Sequence, residues 1–206
     1  MKKEMHISAK NGGLRDIDYV YCGGVTNIIK SRISLPDCDK IIKRYDQTLD
    51  TSPDIKSTKN LIGAEKSEWD IHNNQVCYHE NKIIIDKINN MMKYMVKSTD
   101  DYAIIMDDMW YAKYTNDSFI APHGHGNNLG YWSFCVYLNC EPDGTILYYT
   151  SGLDNTIPVK FYKGDIALFP ANLGHWTNDV YKGRKIVAGN YLLSIVRKEK
   201  TEETKK

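Results

Sequence analysis

No stretch of the 206-residue chain approaches the roughly 20 consecutive apolar residues that a membrane-spanning helix requires. No apolar run follows the opening Met1-Lys2-Lys3-Glu4-Met5-His6 either, so no secretory leader is expected. Cysteine offers no framework: Cys22, Cys38, Cys77, Cys135 and Cys140 are odd in number and contain no CxxC pair. An excess of one charge is missing too. Lys+Arg number 27 against 26 Asp+Glu, a net charge of +1, without the basic surplus that binding to phosphate backbones calls for. A cytoplasmic protein is expected, with no membrane partner and no nucleic-acid partner beyond what a local basic groove would allow. Phe and Trp are scarce at 4 each.

What is present is average for a folded chain, 42% hydrophobic and 26% charged, which excludes collagen-like, wholly disordered and small disulfide-stapled classes. The length fits one domain. The unusual residue is tyrosine, with 15 copies. Its apolar body and polar tip suit half-wet surfaces such as barrel interiors and clefts. Nine of them (Tyr111, Tyr114, Tyr131, Tyr137, Tyr148, Tyr149, Tyr162, Tyr181 and Tyr191) fall between 109 and 193. A codon bias acting on the whole chain would not concentrate them there.

Along the first half, Tyr19-Val20-Tyr21 reads as a short strand between glycine turns. Ser34-Leu35-Pro36-Asp37 reads as a helix start, with Ser34 as N-cap and Asp37 at the positive end of the dipole. Cys38, Ile41, Ile42 and Tyr45 then recur at helical spacing. Residues 50–78 are polar and read as a long surface loop with ordered pieces near Trp69 and Val76. Ile84, Ile85, Ile88, Met91, Met92, Met95 and Val96 follow the 3.6-residue period of a second helix, a stripe that fits core packing.

After Asp101 the texture changes. Apolar and aromatic runs at 103–106, 109–115, 131–138, 145–150, 157–161, 165–169 and 185–196 alternate with Gly, Asn and Asp turns. Helices followed by short strands predict an α+β fold, a double-stranded β-helix (jelly roll) with supporting N-terminal helices. Residues 1–196 are expected to form one domain, with helical and loop support over 1–100 and the jelly-roll core over 101–196. The charged tail 197–206 is expected to be disordered.

Three histidines sit in the β-rich half. In extended backbone His123 and His125 point to one face, so both imidazoles can meet one metal ion. Alone, such a pair is also common on solvated loops, and a lone His175 fits a hydrogen-bonded core position. Together the three make a facial site with open positions.

These residues have an order. Tyr111-Ala112-Lys113-Tyr114, His123-Gly124-His125, Cys135-Val136-Tyr137-Leu138-Asn139, Gly164-Asp165 through Phe169-Pro170, His175 and, nine residues on, Arg184 follow one another. The stretch resembles the core of the iron(II)/2-oxoglutarate-dependent oxygenases, nearest to the prolyl-4-hydroxylase-like branch. The resemblance implies Fe(II) on His123, His125 and His175, and 2-oxoglutarate held by Arg184 with help from Tyr114 and Tyr137. It also implies O2 as co-substrate, succinate and CO2 as products, and hydroxylation of a small molecule or protein side chain. One position departs from the pattern, because His125 stands where the family has a metal-binding carboxylate. A second alignment pairs His125 with Asn127 and leaves His123 behind the ligands. A degenerate site, a cupin-like three-histidine metalloenzyme without 2-oxoglutarate and a non-catalytic jelly-roll binding module remain alternatives. Arg184 separates the first two enzyme readings, although Tyr181-Lys182-Gly183-Arg184-Lys185 also reads as a basic hairpin turn.

Overall fold

The computed structural model describes residues 18–22, 26–49, 61–95, 102–125, 130–150, 156–177 and 182–195. The tail 197–206 and Asn127 lie outside them. A hairpin of β1 (Asp18–Cys22) and β2 (Thr26–Arg32) leads into α1 (Leu35–Leu49). Ser34 caps this helix as the sequence predicts. The Asp37 amide donates to its Oγ at 3.2 Å, and its hydroxyl donates to the Asp37 carboxylate at 2.6 Å. After β3 (Leu61–Lys66), two short 3-10 turns lead into α2 (Tyr78–Met95). The rest is β4 (Tyr102–His123), β5 (Tyr131–Asn139), β6 (Thr145–Thr150), β7 (Thr156–Phe161), β8 (Asp165–Pro170), β9 (Gly174–Thr177) and β10 (Lys185–Ile195).

The strands join in the order β1-β2-β8-β5-β10-β4-β9-β6-β7, with β3 added on β4, and every pairing is antiparallel. The 22 residues of β4 are long enough to serve both sides of a jelly roll. Its first half pairs with β10, and its end pairs with β9, so one strand joins the helix-backed sheet to the smaller sheet of β9, β6 and β7.

Side chains alternate across the larger sheet and divide the core in two. Phe134, Val136 and Leu138 of β5 and Met109 and Tyr111 of β4 face the helices, meeting Cys38, Ile41 and Tyr45 of α1 and Ile84, Ile88, Met91 and Met92 of α2. Cys135, Tyr137, Ala112 and Tyr114 face the barrel interior with Tyr149, Phe161 and Phe169. A strand covered on both faces reads as a continuous apolar run, as β5 does.

Three expectations change. Leu61–Lys66, inside the stretch read as a surface loop, is a strand on β4. The N-terminal half therefore supplies β1, β2 and β3 to the sheet as well as helices. The runs at 103–106 and 109–115 belong to one continuous strand, and Gly174–Thr177, too short and polar to register as apolar, is a strand as well.

Candidate functional site

The end of β4 and the middle of β9 are register partners at His123 and His175. A cross-strand pair brings two side chains together on one face, and the ring centroids lie 4.2 Å apart. His125 follows two residues beyond the strand. Its amide donates to the Ala171 carbonyl at 2.8 Å, which pins it against the turn before β9. Its ring lies 5.1 Å from His123 and 5.3 Å from His175. One nitrogen from each ring lies within 4.8 Å of the others, and no carboxylate among the described residues joins the group. A Cβ at Gly124 would come no nearer than 3.8 Å to the Ala171 and Asn172 carbonyls and 3.9 Å to the Gly174 Cα, so crowding does not demand glycine between the histidines.

The hydrogen bonds set the tautomers. A carbonyl only accepts, so Nδ1 of His123 donates to Ala121 at 2.8 Å and Nδ1 of His175 donates to Leu173 at 3.0 Å. The proton is then on Nδ1, and Nε2 keeps its lone pair, the usual support of a metal-binding imidazole. Burial, followed by the neighbouring His123, pushes His175 down to about 3 and His125 to about 4. Burial lowers His123 too, against its bond to Ala121. Three neutral rings with converging lone pairs repel one another unless a cation lies between them. The donor set fits a divalent metal with vacant positions.

Arg184 lines the same cavity, whose volume is about 420 Å³. The hairpin-turn alternative fails on burial, because Arg184 is 1% exposed. Its carbonyl accepts from the Tyr114 amide at 2.8 Å, and the Gly183 amide donates to the Tyr114 carbonyl at 3.1 Å. Asn139 braces the turn by donating to the Gly183 carbonyl at 2.8 Å. The guanidinium carbon stands 5.0 Å from the Tyr114 ring centroid, and Nη1 donates to Thr177 Oγ1 at 3.3 Å. Nη2 donates to the Glu141 carboxylate, a residue absent from the cavity wall. Tyr114 and Tyr137 both line the cavity and are buried. The Tyr114 hydroxyl is buried beside Arg184, and burial raises its pKa, so it keeps its proton and can donate. Tyr137 stacks on Phe161 with centroids 4.9 Å apart. A buried guanidinium, a protonated phenol and a threonine beside apolar Leu147, Phe169 and Ile186 suit a short dicarboxylate.

All six sequence-identified residues therefore meet in one cavity. Sequence reasoning missed Thr177, Glu141 and a second group at Trp69, Asp108, Trp110, Ser133 and Asn190. The β-register would have found Asp108, Ser133 and Asn190, because Asp108 and Ser133 flank Asn190 on neighbouring strands. Trp132 and Trp176, the aromatics nearest the motifs in sequence, do not line the cavity. Trp132 packs on the helix-facing cluster and Trp176 stacks on Tyr148. Asp165 accepts from Arg32 at 2.6 and 2.8 Å and from the Tyr162 amide at 2.8 Å, which makes it a turn anchor.

No protein-family model and no curated protein matches the sequence. Solved structures do match. A prolyl hydroxylase from Trichoplax adhaerens, in complex with a hypoxia inducible factor peptide, superposes with a TM-score of 0.63 at 13% identity, covering 80% of this chain and 82% of that one. A prolyl-4-hydroxylase from Pseudomonas putida gives 0.61 at 12% identity, covering 82% and 93%. HygX from Streptomyces hygroscopicus, with nickel and 2-oxoglutarate bound, gives 0.56 at 13% identity, covering 81% and 83%. The chain thus has the double-stranded β-helix fold of prolyl hydroxylases and other 2-oxoglutarate/Fe(II) oxygenases, as its ordered motifs imply.

Proposed function

We propose that the protein is an Fe(II)- and 2-oxoglutarate-dependent hydroxylase. The observation that carries this reading is one cavity with three convergent neutral imidazoles and a buried arginine. His123, His125 and His175 hold the metal. Arg184 and Thr177 take the distal carboxylate of 2-oxoglutarate, with the Tyr114 hydroxyl as a further donor and Tyr137 walling the chamber. Iron bound there supplies the activation of O2. One oxygen atom ends in succinate as CO2 leaves, and the other enters a substrate C–H bond as hydroxyl, so the atoms and electrons balance. With no carboxylate ligand the metal keeps its full double charge, which favours an anionic co-substrate but weakens the hold of the protein on the ion.

Glu141 favours a second reading. Its carboxylate already balances part of the Arg184 charge, as would suit a three-histidine metalloenzyme that uses no 2-oxoglutarate. Anaerobic addition of Fe(II) and then 2-oxoglutarate separates the two. The hydroxylase should develop a weak visible charge-transfer band, lost in His175→Ala and weakened in Arg184→Lys. Fe(II) binding without a band supports the second reading, and no Fe(II) binding leaves a jelly-roll binding module.

A further inference from the structure

The interior face of β10, with the residue just before it, forms a graded floor. Arg184, Ile186, Ala188 and Asn190 occur at every second position and all line the cavity. The asparagine lies six positions beyond the arginine, roughly 20 Å at the rise of an antiparallel strand. The Arg184 end has an occupant in the hydroxylase reading, and the Asn190 end has none.

At that far end three register partners form a hydrogen-bonded row across β5, β10 and β4. Ser133 Oγ donates to Asn190 Oδ1 at 2.7 Å, and Asn190 Nδ2 donates to the two Asp108 oxygens at 2.8 and 3.1 Å. The row is directional. The hydroxyl proton of Ser133 and one N–H of Asn190 are used within it, and it ends on a carboxylate. What it offers the cavity is chiefly the lone pairs of Asp108 and Ser133, which suit a ligand that carries hydrogen-bond donors.

Two indoles stand beside the row. The Met109 amide donates to the Trp69 carbonyl at 2.8 Å, which ties the segment after β3 to β4. Trp69 then meets Trp110 edge to face, with centroids 4.5 Å apart, and both line the cavity. Behind them lies Lys66, a residue only 3% exposed. Its amine has no hydrogen-bond partner among the described residues and lies 2.9 Å from the Trp69 ring centroid. A cation therefore already occupies a face of Trp69, which disfavours a cationic ligand. Lys66 and Asp108 also influence each other's charge. Lys66 and Asp108 place one charge of each sign at this end, so net charge favours neither a cation nor an anion, and an uncharged ligand leaves that pair balanced.

We propose that this end of the cavity binds an uncharged, hydroxyl-rich ring, a sugar or cyclitol unit, with its C–H face on the Trp69–Trp110 corner and its hydroxyls donating to Asp108 and Ser133. An apolar wall with a few oriented acceptors matches such a ligand. The proposal deepens the hydroxylase reading by naming its substrate class, and rests on that reading for the chemistry but not for binding.

The test uses the full chain without metal. Saturation-transfer NMR and tryptophan fluorescence are recorded with methyl glucoside, methyl mannoside, methyl galactoside and myo-inositol, beside a proline-containing peptide and glycine betaine. At least one neutral ring should bind in the millimolar range, about tenfold more weakly in Asp108→Asn, the loss of one hydrogen bond to a charged group. If that variant does not fold, Trp69→Ala at a 45% exposed position supplies the comparison. The proposal is overturned if no ring binds, if only the peptide or the betaine binds, or if ring binding is unchanged in the variants. The charge-transfer band, recorded separately, keeps the two readings apart. A ring bound without the band overturns the hydroxylase alone, and the band without a ring overturns the subsite alone.

Discussion

His125 carries an imidazole where the resembled motif has a carboxylate, and that one exchange sets the charge of the proposed metal site. Its ring has the other two imidazoles for company and no compensating anion among the described residues. Restoring the anion with His125→Asp should tighten Fe(II) binding roughly tenfold, as read by competition with a chelating dye. Unchanged affinity would remove His125 from the ligand set. Glu141 supports a second prediction. Burial opposes its charge, but hydrogen bonds from Arg184 and Thr145 outweigh this and hold the carboxyl below its ordinary range. The unfolded chain then takes up this proton first as pH falls. Its contribution to stability is complete above the ordinary glutamate value and is lost as pH falls through the lower folded value. Glu141→Gln should flatten the acid limb of the Tm-against-pH curve, and an unaltered limb would show that the pair does not couple to folding.

Among the elements, β10 has the tightest constraint. A Cβ on Gly189 would lie 2.3 Å from the Asp108 carbonyl and 2.7 Å from the Phe134 ring, so only glycine lets β4 and β5 close on this strand. Gly189→Ala should cost about 1–3 kcal/mol, visible in urea denaturation, and should disturb the Trp110–Asp108 end of the cavity more than the metal end. The register slips beside it, so that Asn190 faces Asp108 while Tyr191 faces Met106. Such bulges re-aim side chains near functional sites. At α1, Ser34→Ala should cost about 1 kcal/mol by thermal unfolding, the usual worth of an N-cap. Helices α1 and α2 were legible because capping and the 3.6-residue period are local. Strand β3 was not, because Leu61–Lys66 carries little β signal of its own and owes its conformation to pairing with a strand some 50 positions away. Strand β9 escaped for a similar reason: four residues are too few to carry a period.

On the scale of the whole molecule, the jelly roll holds its site between two sheets, with the helices on the opposite face of the larger one. No helix among the described residues is long and apolar enough to cross a membrane. The site was assembled from β4, β9 and the loop after β4, so a bound metal ties these segments together and should stabilise the fold. Ni(II) at a hundred times its Kd should add about 2.7 kcal/mol, seen as a rise in Tm of several degrees that EDTA and His175→Ala both abolish. No rise would mean that the three imidazoles do not hold metal.

By itself the sequence determined the class of fold and both helices, and it singled out His123, His125, His175, Arg184, Tyr114 and Tyr137, which the fold brings to one cavity, because ordered spacing and local periodicity survive without neighbours. Only the tertiary structure decided that Arg184 is buried and shared with Glu141, and that Trp69 and Trp110, not Trp132 and Trp176, line the cavity. It also decided that Asp108, Asn190 and Ser133 form a single row. Those facts depend on which strands lie side by side and in what register, and antiparallel register is set by long-range packing that no local pattern records.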